Sequence, residues 1–288
     1  METPQRTPRT TRTTSASRAA TVLAATLVIT AFVLPVDSVR TATAGPDAPP
    51  CPAPAVAGHR GAPRTAPENT MAAFRAALDG GADWLETDVR TTRDGVPVLM
   101  HDDTVDRVTD GHGGVADLTY EQIASLRVTA GPGPAQPVPT LQELLDTLAG
   151  TGTRLLMEIK EQRDPEDAAR IARTAAASGA DVVLYSFFPD HLREAHRAAP
   201  GLPVVLLQGR FLAREPDGLR LDGIALDEPL ATADRIAAEH AAGHQVYVWT
   251  LDDDTAWRTM ADRHADALVT DTPADARRWA DRQCGRTP

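Results

Sequence analysis

The chain has 288 residues, enough for one large α/β domain or two small ones, and enough to bury a sizeable core. It is acidic, with 29 Lys plus Arg against 40 Asp plus Glu and a formal net charge of −11. That balance argues against nucleic acid or an anionic membrane as the main partner, and it suits a site that collects a divalent cation.

Arg6, Arg9, Arg12 and Arg18 precede an apolar run from Ala19 to Leu34, and Ala42-Thr43-Ala44 then offers small residues for cleavage. This is the order of a secretory signal, so residues 1–44 are expected to be a removed leader and the mature protein to be extracellular. The run is shorter than the about 20 residues of a membrane span; an uncleaved anchor is the alternative. Cys51 follows Pro49-Pro50 rather than a small-residue lipobox. Residues 1–44 hold five Arg and two acidic residues, so removing them leaves 24 basic against 38 acidic side chains, a net −14. Residues 45–54 are Pro-rich and read as a linker to a domain at 55–288. Only Cys51 and Cys284 are present, at opposite ends of the mature chain, and an exported protein permits a disulfide between them.

From Ala55 onward short apolar runs alternate with Ala-rich stretches. The expected strands are Ala55–Gly58, Trp84–Val89, Arg154–Ile159, Val182–Ser186, Val204–Leu207, Gly223–Leu226, Val246–Thr250 and Ala267–Thr270. Continuous runs such as Leu155-Leu156-Met157 are what parallel strands covered on both faces look like. Helices fill the gaps. Met71–Leu78 follows Thr70. Leu141–Leu148 follows Thr140, with Glu143 as capping-box partner. Pro165–Ala177 follows Asp164 as N-cap with Pro at the first position. Pro189–Ala198, Thr232–Ala242 and Asp253–Arg263 complete the series. Eight βα units at this length favour a closed (β/α)8 TIM barrel over an open doubly wound sheet. No dinucleotide or P-loop glycine motif argues for the open alternative.

One segment departs from the alternation. Only twelve residues separate Asp88 from His101, too few for a crossover helix. Asp94-Gly95 is a two-residue hairpin signal; a turn centred there pairs Arg93 with Val96 and Asp88 with His101. Residues 103–140, rich in Gly and Pro, then form a small insertion or cap after the second strand.

In such a barrel the active site lies at the C-terminal ends of the strands. His59 and Arg60 end the first strand, Glu86 and Asp88 the second, and Glu158 and Lys160 the next barrel strand. Strand alternation puts each of the last two pairs on one face. Three convergent carboxylates repel unless a cation sits among them, and oxygen-only ligands select a hard divalent ion, Ca2+ or Mg2+. Glu86, Asp88 and Glu158 are the candidate metal ligands. Arg60 and Lys160 add positive charge for a phosphoryl group, and His59 and His101 offer a base and an acid. Lys160 is the only lysine and Asn69 the only asparagine. A lone Lys among arginines points to a site needing a compact ammonium. Trp249, at a strand end, is either core or a substrate contact. Asp271 orients a loop or caps the following helix. The remaining histidines fall in loops or helices and read as solvated or structural. Ser186 lacks a nucleophile-elbow context.

The ordered segments His59-Arg60-Gly61, Ala66-Pro67-Glu68-Asn69-Thr70, Leu85-Glu86-Thr87-Asp88-Val89, Thr92-Arg93-Asp94-Gly95, His101-Asp102, Asp106-Arg107, Glu158-Ile159-Lys160, Val248-Trp249-Thr250 and Thr270-Asp271-Thr272-Pro273 resemble the glycerophosphodiester phosphodiesterase family. The resemblance implies a barrel that hydrolyses glycerophosphodiesters to glycerol 3-phosphate and an alcohol. It implies that Glu86, Asp88 and Glu158 bind the metal, that His59 and His101 are general base and acid, and that Arg60 and Lys160 contact phosphate. Glu68 is given a structural role beside the site, with metal contact as the alternative. Val108 and Thr87 depart mildly from the family's pattern. Two other readings stand beside this one. A phospholipase D-like enzyme of the same superfamily would act on sphingomyelin or lysophospholipids. A catalytically silent protein would bind glycerophosphodiesters without turnover.

Overall fold

The computed structural model describes residues 53–210 and 218–285. The expected leader, the linker through residue 52, and Cys51, the proposed partner of Cys284, lie outside the described residues. Among the described residues no helix is long and apolar enough to cross a membrane.

Eleven strands are described: β1 Ala55–Gly58, β2 Trp84–Thr91, β3 Pro97–Leu99, β4 Arg127–Val128, β5 Gln136–Pro137, β6 Arg154–Ile159, β7 Asp181–Ser186, β8 Val204–Gln208, β9 Gly223–Asp227, β10 Gln245–Trp249 and β11 Ala267–Thr270. Eight of them run parallel in the order β1-β2-β6-β7-β8-β9-β10-β11, and β1 pairs with both β2 and β11, which closes the cylinder. The expected (β/α)8 barrel is therefore present. All eight expected strands recur, with ends shifted by at most two residues. The doubly covered character of β6 is explicit. Leu155 and Met157 pack in the layer between strands and helices, while Leu156 points into the barrel with Val183, Val205 and Tyr247.

The helices are α1 Met71–Asp79, α2 Tyr120–Ala124, α3 Leu141–Leu148, α4 Pro165–Ala177, α5 Pro189–Ala198, α6 Ala233–Ala241, α7 Asp254–Asp262 and α8 Pro273–Gln283. Their starts follow the caps in the sequence. Thr70 accepts from the Ala73 amide, Thr140 and Glu143 form a reciprocal capping box, and the Asp164 carboxylate accepts from the Glu166 amide. The short helix α2 was not expected, and α8 is the helix that follows Asp271. In α8 the apolar positions are few, yet Ala276, Trp279 and Ala280 are buried against the barrel.

The hairpin after β2 forms, but its register differs by one residue from the expectation. Val89 pairs with Leu99, Arg90 with Val98 and Thr91 with Pro97. Asp88 therefore faces Met100, whose amide donates to the Asp88 carbonyl, and not His101. The loop takes three residues, Arg93, Asp94 and Gly95, because Gly95 adopts φ +85 and the Thr92 amide closes onto the Val96 carbonyl. Thr92 Oγ1 and the Tyr120 amide both donate to Asp94 Oδ1, which ties the turn to α2. Residues 103–140 carry α2 and the β4–β5 ribbon over a small core of their own, in which Val98, Met100, Val105, Ile123 and Val128 are buried together.

Candidate active site

The first site segment leaves β1 through a turn that only glycine permits. A Cβ on Gly61 would lie 2.5 Å from the Ala73 carbonyl carbon, and its φ is +86, so α1 packs directly on this backbone. The turn carries His59 and Arg60 across the barrel mouth. The His59 amide donates to the Thr270 carbonyl at 2.9 Å, and His59 Nδ1 lies 2.8 Å from Asp271 Oδ1. The Arg60 amide donates to Glu86 Oε2 at 2.9 Å.

From β2, Glu86 and Asp88 point inward and are buried. Asp88 stands in register with Glu158 of β6. Glu86, Asp88 and Glu158 each place an oxygen within 4.8 Å of the others, and all three are buried. The Lys160 ammonium lies 2.9 Å from Asp88 Oδ1 and 2.8 Å from Glu158 Oε1. Arg60 Nε lies 3.3 Å from Asp88 Oδ2. Asn69, the sole asparagine, adopts φ +54, donates to Asp88 Oδ2 at 2.7 Å, and accepts from Thr87 Oγ1 at 2.8 Å. The left-handed backbone suits Asn, and its amide offers both a donor and an acceptor to β2. Thr87, polar where the family is usually apolar, is thus used.

The electrostatics follow from this packing. Burial, with the neighbouring Asp88 charge, pushes Glu86 up to about 7 against the pull of His59 and Arg60. Burial likewise pushes Glu158 up to about 8, with Lys160 opposing it. Burial also opposes the charge on Asp88, but Lys160 and Arg60 outweigh it and hold Asp88 well below the usual carboxylate range. His59 loses by burial, yet the Asp271 hydrogen bond and the Glu86 charge carry its net shift upward. Burial moves His101 downward, against the field of Asp88.

His101 leaves the ladder just beyond β3, and Arg90 fixes it there by donating from Nε and Nη2 to the His101 carbonyl. His101 Nδ1 lies 2.7 Å from Asp102 Oδ1. Arg107 holds Asp102 through Nε at 2.5 Å, and its Nη1 and Nη2 reach Glu68 at 3.0 and 2.7 Å. Arg60 Nη1 also donates to Glu68 Oε1, at 2.9 Å, the oxygen that accepts from Arg107 Nη2. Glu68 thus bridges two arginines and stands outside the carboxylate trio.

His59, Arg60, Glu86, His101, Glu158, Lys160 and Trp249 line one cleft of about 60 Å³, with Tyr185, Phe187, Leu207 and Val269 forming the rest of its wall. Asp88 lies among these groups, held by Lys160 and Asn69. Trp249 meets Phe187 edge-on, at 5.7 Å between ring centres. Sequence reasoning did not single out Asp102, Arg107, Tyr185 or Phe187, and it gave Asp271 a loop or cap role. The signal for Asp271 was its place directly after the last strand, beside β1 in a closed barrel.

The donor set fits a hard divalent cation. Three buried carboxylates face two fixed cations, Arg60 and Lys160, which leaves one negative charge uncompensated, and every candidate ligand atom is oxygen. Carboxyl oxygens do not themselves distinguish Ca2+ from Mg2+.

Comparison with known proteins agrees with this geometry. The model of the glycerophosphoryl diester phosphodiesterase family matches residues 59–275. A glycerophosphodiester phosphodiesterase of Caldanaerobacter subterraneus subsp. tengcongensis is 31% identical over 230 residues, covering 76% of this chain and 94% of that protein. The mouse glycerophosphodiester phosphodiesterase 1 is 43% identical over 116 residues, covering 38% of this chain and 35% of that protein. The match thus spans about a third of the length of that mammalian relative. Among solved structures, an Oleispira antarctica phosphodiesterase in complex with the product sn-glycerol-3-phosphate shares the fold with a TM-score of 0.71 at 23% identity, over 80% of this chain and 97% of that one. With the family's model running from the first histidine of the cleft to beyond its last aspartate, the chain belongs to the glycerophosphoryl diester phosphodiesterase family.

Proposed function

We propose that the protein is a metal-dependent phosphodiesterase that hydrolyses glycerophosphodiesters to sn-glycerol 3-phosphate and an alcohol. One observation carries the reading: three buried carboxylates, two cations and two carboxylate-backed imidazoles converge in a single cleft at the strand ends. A silent binding protein has no need of the two imidazoles.

Glu86, Asp88 and Glu158 hold the cation, Ca2+ or Mg2+. Bound there, such an ion would supply charge compensation for the phosphoryl group. Arg60 and Lys160 bind the phosphoryl oxygens and stabilise charge developing on them. Asp271 and Asp102 each occupy an Nδ1 atom, which leaves Nε2 for the chemistry, unprotonated on His59 as base and protonated on His101 as acid. His59 takes the proton of the attacking oxygen, either water or the neighbouring glycerol hydroxyl. The attacking oxygen bonds to phosphorus as the bond to the leaving oxygen breaks, and His101, protonated at the start, gives its Nε2 proton to the departing alcohol. Where the glycerol hydroxyl attacks, water then opens the cyclic phosphate to glycerol 3-phosphate, with the two imidazoles exchanging roles. Trp249 packs against the substrate from the apolar wall.

The arginine-then-apolar leader supports secretion, and the extracellular space permits the Cys51–Cys284 bridge. The test is release of glycerol 3-phosphate from glycerophosphocholine with Ca2+, with Mg2+ and with chelator. Metal-dependent release supports the reading and selects the ion. Formation of a lipid phosphate from sphingomyelin or lysophospholipid, without glycerol 3-phosphate, selects the phospholipase D-like enzyme. Binding without turnover selects the silent protein.

A further inference from the structure

Beside its charged residues, the wall of the cleft is apolar except for two atoms. Tyr185 Oη and Trp249 Nε1 are both buried there, and neither has a hydrogen-bond partner within the protein. Tyr185 is 2% exposed, points into the barrel, and is in register with Glu158 across the β6–β7 pair. A buried hydroxyl without a partner is costly, and its presence in a cleft needs a reason. The nearby carboxylates do not supply one, since Tyr185 bonds to none of them. Nor does core packing alone, which a phenylalanine of the same shape would satisfy. Phosphate is already matched by Arg60 and Lys160, which leaves this neutral donor for another part of the substrate. It is the right group for an uncharged hydroxyl oxygen, the chemistry of the glycerol moiety.

We propose that Tyr185 is a specificity-determining residue whose hydroxyl donates to a glycerol hydroxyl oxygen of the substrate, next to Glu158. The inference rests on the glycerophosphodiester reading and names the part of the substrate that the apolar wall reads. A pocket that hydrogen-bonds a substrate hydroxyl discriminates against analogues lacking it, because its own polar group is then left unpaired.

The test is calorimetric binding of glycerol 3-phosphate and of methyl phosphate, which lacks the hydroxyls, to the metal-loaded protein and to Tyr185→Phe. Tyr185→Phe should weaken glycerol 3-phosphate roughly 3- to 12-fold, the worth of one hydrogen bond, and leave methyl phosphate within about twofold. Tyr185→Leu, which loses the ring as well, should weaken both ligands if packing alone matters. Equal affinity of Tyr185→Phe and the unaltered protein for glycerol 3-phosphate overturns the proposal, as does an equal loss for both ligands. Failure of the broader reading looks different: the unaltered protein then does not prefer glycerol 3-phosphate over methyl phosphate.

Discussion

Glu68 and Arg107, 39 positions apart, meet in a two-pronged ion pair, with both terminal nitrogens of the guanidinium on the two carboxylate oxygens. Glu68 belongs to the loop after β1, and Arg107 to the segment that follows His101. The same Arg107 grips Asp102, and the same Glu68 grips Arg60, so a chain of charge runs from Arg60 to the imidazole of His101. The Asp102 carboxyl is held down to about 2, chiefly by its bond to Arg107.

Arg107→Ala should therefore lower kcat about tenfold while changing cation affinity little, because Asp102 loses its anchor and His101 its orientation. Arg107→Lys should recover only part of the loss, since an ammonium cannot serve two carboxylates in a planar fork. Arg107 is half exposed, so thermal stability should barely move. Steady-state kinetics beside a melting curve checks both statements.

His59→Ala and His101→Ala should each cost about 10²-fold or more in turnover. With His59 as base and His101 as acid, loss of His59 removes the acidic limb of the pH–rate profile and loss of His101 the alkaline limb. The opposite pattern would exchange the roles. Asp271→Asn should act like a partial loss of His59, about 10²-fold, because the wrong tautomer or ring orientation becomes accessible.

The carboxylate trio predicts an unusual pH dependence of stability in chelator. Glu86 and Glu158 are raised from their usual value to about 7 and about 8, so between about 4.5 and 8 the folded protein binds more protons than the unfolded chain. Stability must then fall as pH rises through that window. His59, also raised, acts in the same sense: its charged form stabilises below the ordinary histidine range and is lost as pH climbs through the folded value. His101, lowered by burial, acts in the opposite sense. Melting temperature in chelator should decline from pH 5 to pH 8, and Ca2+ or Mg2+ should restore it at pH 8. Glu158→Gln should flatten the decline and abolish the metal response.

Gly61→Ala tests the turn beneath the first histidine. With its Cβ 2.5 Å from backbone and φ at +86, alanine should cost about 3 kcal/mol of folding stability, read by urea unfolding.

The alternation of apolar runs and capped helices made the barrel legible, because continuous strands such as β6 and caps such as Thr140 with Glu143 are local signals. The seven polar residues of the cleft were legible because they sit at strand ends. The hairpin register was not. Two residues or three in the turn is decided by Gly95 adopting a left-handed backbone and by Asp94 bonding to Thr92 and to Tyr120, 26 residues on. The partner of His59 was equally hidden: Asp271 lies 212 residues away and becomes a neighbour only when β1 and β11 pair. Tyr185 reads as ordinary barrel core until its hydroxyl is found without a partner.

That last pairing has a consequence for timing. A ribosome that has delivered residues 59 through 160 has delivered every carboxylate, cation and imidazole of the cleft, yet His59 still lacks the backbone acceptor at Thr270 and the aspartate beside it. The cleft is chemically unfinished until β11 emerges and docks against β1. The complete cleft is thus a property of the closed ring rather than of the segment that holds most of its reactive groups.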